Sequence, residues 1–173
     1  ERRRCIRDRP NRREWHIADY QFSHPDFDTD SKRRKVRFSA GATRRLKPQK
    51  YQGNGFSGGS LRRTVTTHFC RYESLMQPAR GAGVVTGFFT YTGPYYGTRH
   101  DEMDIEFLGQ VIRKLHMSWR VDSVLNSQVV PLGFDSADLS SPYTLALHPD
   151  RPVPHTHRTL PPSREVESYI PGR

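Results

Sequence analysis

Between Asp101 and Gly109 the chain reads DEMDIEFLG, in which acidic and apolar residues alternate with period two. A strand sends successive side chains to opposite faces. The pattern therefore predicts a strand whose Met103, Ile105 and Phe107 enter a core while Glu102, Asp104 and Glu106 share the other face. No segment sustains a helical period, and 13 Gly and 13 Pro are spread along the chain, as short strands joined by turns require. The adjacent Phe88 and Phe89 must point opposite ways on any strand, so at most one of them lies on a given face. The last segment, RPVPHTHRTLPPSREVESYIPGR, carries Pro at 152, 154, 161, 162 and 171. Each proline removes a ladder donor and fixes φ, so this tail is expected to be extended and irregular.

Three carboxylates on one face repel one another, and strands are normally depleted in Asp and Glu. An exposed acidic strand or a cation site would account for them, but chemistry does so better. Glycoside hydrolysis needs two carboxyl groups in different protonation states on one rigid element: one ionised at the anomeric carbon, the other holding a proton for the departing oxygen. Mutual repulsion within the trio raises the proton affinity of at least one member. Geometry adds a demand, because Cα atoms four apart on a strand lie roughly 13 Å apart. Retaining catalysis wants the carboxyl groups about 5–5.5 Å apart, so the side chains must lean together or the strand must bend.

HDEMDIEFLG, with the upstream GVVTGFFTYTGP, resembles the catalytic strand region of the family 16 glycoside hydrolases, whose pattern is Glu, apolar, Asp, apolar, Glu. Within that family TYTGP and the following GT look most like bacterial lichenases and exopolysaccharide-cleaving endoglycanases, while the HDE opening also occurs in xyloglucan transglycosylases. Carried over by position, the resemblance implies Glu102 as nucleophile, Glu106 as general acid and base, and Asp104 as the residue that tunes the nucleophile. It implies an all-β fold, a concanavalin-like β-sandwich of jelly-roll type with the substrate cleft across the concave sheet. The implied activity is retaining, endo-acting hydrolysis of a β-glucan with 1,3-1,4 or 1,3 linkages, or of a related exopolysaccharide. Transglycosylation, or carbohydrate binding without turnover, are the alternatives.

The resemblance covers residues 15 to 151 and includes the segment YESLMQPA at 72–79. Departures from the pattern mark this chain. Ser118 stands where lichenases carry an Asn that contacts sugar, His100 where a Trp commonly precedes the motif, and Ser60 and Arg62 where a Glu and Arg pair is usual. With the aromatic residues Phe89, Tyr91 and Trp119, whose rings suit the apolar faces of pyranose units, the expected substrate-binding set is Arg62, Phe89, Tyr91, His100, Ser118 and Trp119. The alternative for Trp119 is that it fills the core. Family members continue after the HPDR segment at 148–151 with further strands, none of which is recognisable here, so a sandwich truncated at its C-terminus is expected. No cofactor is implied for catalysis. Some lichenase-type members hold a structural calcium ion, whose ligands this sequence does not reveal.

Composition fits one sandwich domain over 15–151, between a basic arm at 1–14, expected to be disordered, and the Pro-rich tail at 152–173. Only 34% of the 173 residues are hydrophobic, a small apolar mass for a closed core of that length. Net charge is +10, much of it in ERRRCIRDRPNRRE and in SKRRKVRF at 31–38. Such runs can meet phosphates, form solvated loops or attract an acidic polysaccharide. The resemblance argues for a polysaccharide partner over nucleic acid, and for a monomer. Cys5 and Cys70 are the two cysteines, and a disulfide between them is one option. No stretch approaches the roughly 18 apolar residues needed to span a bilayer, and residue 1 does not open a signal peptide. A mature secreted protein is what the resemblance implies.

Overall fold

The computed structural model describes residues 14–21, 29–38, 44–46, 49–50, 55–147, 156–159 and 165–168. These fall into two compact units, one within Asp8–Thr66 and one within Thr67–Arg173. Apart from Glu14, the basic arm expected at 1–14 lies outside the described residues.

The first unit is built from short strands: β1 (Trp15–Ile17), β2 (Tyr20–Gln21), β3 (Thr29–Ser31), β4 (Val36–Phe38), β5 (Arg44–Leu46), β6 (Gln49–Lys50), β7 (Phe56–Gly58) and β8 (Leu61–Arg63). β1 pairs antiparallel with β8, and β4 with β5. β2, β3, β7 and β6 form a four-stranded sheet whose β3–β7 pairing is parallel. The buried Asp30 carboxylate is offset by the Lys32 ammonium 3.2 Å away.

The second unit holds the long strands: β9 (Arg71–Met76), β10 (Val85–Thr92), β11 (Asp101–Leu108), β12 (Lys114–Val121), β13 (Val124–Pro131) and β14 (Ser141–Ala146), followed by β15 (Thr156–Thr159) and β16 (Glu165–Ser168). β10 to β13 make an antiparallel meander in sequence order. Between β12 and β13 the turn is only Asp122 and Ser123, both at positive φ (53° and 70°). That is the primed geometry whose twist matches flanking strands. At the end of β11, Gly109 is required by space, since a Cβ there would come within 2.5 Å of the Gly81 carbonyl oxygen.

The alternation in β11 is realised as predicted. Met103, Ile105 and Phe107 are at most 4% exposed, while Glu102, Asp104 and Glu106 are half-buried on the opposite face. The neighbouring β12 repeats the device with Leu115 and Met117, and the antiparallel β9–β14 pair supplies Tyr72, Tyr143 and Leu145. These form one core in two layers, a sandwich with the meander as one face. Phe107 meets the Tyr143 ring edge-on at 4.8 Å. Phe107→Ala should destabilise the fold by about 3–5 kcal/mol, because it leaves a cavity in a fully buried site; urea unfolding of the two proteins reads this directly.

The tail departs from the expected irregular form. β15 and β16 pair antiparallel, from Thr156 opposite Ser168 to Thr159 opposite Glu165. The prolines explain how this is possible, because all five fall outside the two strands, and THRT and EVES keep every ladder donor. Cys70 is disulfide-bonded and buried; Cys5, the other cysteine of the sequence, lies outside the described residues.

Candidate active site

Cross-strand register lays out the acidic face of the meander as three rows. Glu102 stands between Tyr91 on β10 and Arg120 on β12; Asp104 between Phe89 and Ser118; Glu106 between Gly87 and His116. β13 continues the rows with Leu125, Ser127 and Val129. Directly opposed residues on adjacent strands lie on the same face. All of these therefore share the surface of the three carboxylates.

Each carboxylate has a different environment. Glu102 Oε2 is 2.8 Å from His100 Nε2. Asp104 Oδ2 accepts a 2.8 Å hydrogen bond from the Ser118 hydroxyl. Burial, followed by the charge of Glu102, pushes Asp104 up to about 7, although the Ser118 hydrogen bond and, more weakly, the Arg120 guanidinium favour its ionised form. Glu106 is also raised above the usual carboxylate range, chiefly by burial; His116 opposes the rise and Glu102 adds to it. Two members of the trio thus hold a proton more tightly than ordinary carboxyl groups. Ser118→Ala removes a hydrogen bond to ionised Asp104 and should move its titration above 7, a change that carboxyl-carbon NMR across the pH range resolves.

The expected binding residues separate. Phe89 and Tyr91 are on the carboxylate face, 54% and 40% exposed. Ser118 and His100 touch carboxylates directly. Trp119 does not belong to this surface, because it is in register with Met103 and packs against the core. Its place follows from Leu115 and Met117, which set the apolar phase of β12. Arg62 stands on β8 in the first unit, opposite His16. His116, Gly87 and Arg120 also lie on this face, outside the expected set. Period two counted from Ser118 would have placed His116 and Arg120 on this face. His116 Nε2 is buried with no hydrogen-bond partner among the described residues. Gly87 leaves the floor beside Glu106 open, since a Cβ there would meet nothing closer than 4.0 Å. Among the described residues no group of three or more His, Cys, Asp or Glu side chains gathers to hold a metal ion.

The chain is similar to known proteins in sequence and in fold. The chain is 32% identical over 157 residues to a β-glucanase of Paenibacillus polymyxa, which covers 86% of this chain and 66% of that protein. It is 41% identical over 98 residues to a β-glucanase of Bacillus licheniformis, covering 56% of this chain and 40% of the relative. The chain thus spans about two fifths to two thirds of the length of these two relatives. The solved structure of Bacillus licheniformis β-glucanase matches with a TM-score of 0.78 at 30% identity, over 95% of this chain and 76% of that one. Residues 23–151 match the family model described as Glycosyl hydrolases family 16. With three carboxylates on one face of β11, the sandwich behind them and this match over most of its length, the chain belongs to glycosyl hydrolase family 16.

Proposed function

We propose that the protein is a retaining endo-β-glucanase acting on a 1,3-1,4- or 1,3-linked glucan or a related exopolysaccharide. The observation that carries this reading is the placement of Glu102, Asp104 and Glu106 on one face of a single strand, with Asp104 and Glu106 biased toward the protonated form. The names of its relatives support the substrate class.

In the first step a Glu102 oxygen attacks the anomeric carbon, and the bond to the glycosidic oxygen breaks as Glu106 gives that oxygen its proton. In the second, Glu106, now ionised, takes a proton from water, whose oxygen attacks the same carbon and releases Glu102. Asp104, protonated below about pH 7, adds no second negative charge beside Glu102. Two carboxyl groups and water balance both steps, so no cofactor is required. Phe89 and Tyr91 offer exposed rings beside the carboxylates for stacking on sugar faces. All three acids come from one strand, so the chemistry can be carried by a monomer.

An extracellular location fits the polymeric substrate and the disulfide at Cys70, which persists in oxidising compartments. No helix among the described residues is long and apolar enough to cross a membrane. Reducing-sugar release from a panel of β-1,3-, β-1,4- and mixed-linkage glucans tests the reading. Turnover is expected on mixed-linkage or β-1,3-glucan; silence across the panel would reject it.

A further inference from the structure

We infer that His100 is a positioning residue for Glu102, a role that rests on the reading of Glu102 as nucleophile. His100 precedes β11 by one residue and would be free to move were it not held from several sides. Its carbonyl oxygen accepts a 2.9 Å hydrogen bond from the Ser123 N–H in the β12–β13 turn. Its neighbours are tied to the same turn: the Asp122 N–H donates to Asp101 Oδ1 at 2.7 Å, and Arg99 pairs with Asp122 at 3.1 Å.

The ring is held as well. Tyr91 packs against it edge-on at 5.3 Å, and Tyr91 is itself flanked by Tyr96 at 6.1 Å. The Tyr91 hydroxyl and ring lie over Gly93, where a Cβ would collide with them. Turn, tyrosines and glycine thus aim Nε2 at Glu102 Oε2, 2.8 Å away, in a region where both side chains are only 27% and 21% exposed. At that burial a hydrogen bond to a carboxylate is stronger and more directional than in water.

With Nε2 as donor, the hydrogen bond fixes the Glu102 rotamer through one oxygen. Oε1 has no hydrogen-bond partner among the described residues, which leaves it for the anomeric carbon. The same donor favours Glu102 again as it leaves in the second step, when negative charge returns to the carboxylate. A side chain that merely lined a sugar subsite would contribute to binding and not to the chemical step.

Steady-state kinetics of His100→Phe, His100→Ala and His100→Gln separate these roles. Phe keeps a ring against Tyr91 but has no donor, whereas Gln restores an N–H of similar reach. Both Phe and Ala are expected to lose about 10–100-fold in kcat with KM changed less than about threefold. Gln should recover most of the loss. Unchanged kcat in both Phe and Ala variants, or a loss confined to KM and repaired by Phe, would overturn the role.

Nitrogen NMR of the His100 ring provides a readout that needs no turnover. The Nε2 signal should be that of a protonated donor and should move in Glu102→Gln; an unprotonated Nε2, or one indifferent to that change, refutes the inference. An inactive wild-type enzyme, or Glu102→Gln with full turnover, would instead refute the glucanase reading. In that case the ring signal still decides whether His100 holds this carboxylate.

Discussion

Glu102→Gln is expected to lose about 10⁴-fold or more in kcat on a mixed-linkage β-glucan while still binding it. Gln matches Glu in size and keeps a group within reach of His100, but its amide cannot form the glycosyl ester through which both steps run. The loss should therefore fall on kcat and spare KM, the sign of an interaction made only in the transition state. Glu102→Ala carries a further signature, because it opens a space beside the anomeric carbon. Azide entering that space should restore turnover and give a glycosyl azide of inverted configuration. Reducing-sugar assays and product NMR check both outcomes.

Glu106→Ala is expected to lose about 10²–10⁴-fold on the polysaccharide, where the departing sugar oxygen needs a proton. On an aryl β-glucoside with a strongly acidic phenol the loss in the first step should be much smaller, because that leaving group departs without help. The pH dependence follows from the raised affinity of Glu106 for its proton. Below its folded value the acid is charged with a proton and active; as pH rises through that value the proton and the activity go together. Asp104 titrates at about 7 on the same face and interacts with Glu102 as Glu106 does. The alkaline limb of the wild-type profile belongs to this coupled set. In Glu106→Ala, assayed on the aryl glucoside, the part due to the general acid should vanish and only the Asp104 part remain.

Much of this was legible in the sequence because burial writes itself as alternation. Met103, Ile105 and Phe107 marked one face of β11, and the same three residues oriented the carboxylates. Trp119 shows where a chemical preference misled: its ring suits sugar stacking, but it continues the apolar phase of Leu115 and Met117, and the core took it. His116 and Arg120 became neighbours of Glu106 and Glu102 only through the register of β11 and β12, a pairing between strands that neither strand's own pattern contains. The contact between His100 and Glu102 is supported by a two-residue turn more than twenty residues further on, which holds the segment before β11 in place. The β15–β16 pair is masked in the sequence by a proline density that spans the whole segment, although the strands lie between the prolines.

The central claim is that Glu102 forms a covalent bond to sugar during turnover, and trapping that bond tests it most directly. A 2-deoxy-2-fluoro-β-glucoside with a good leaving group slows both steps but lets the first outrun the second. Proteolysis and mass mapping of the inactivated protein should place the added sugar on Glu102. A sugar on Glu106 or any other residue, or an enzyme that cleaves β-glucan yet never carries one, would contradict the account.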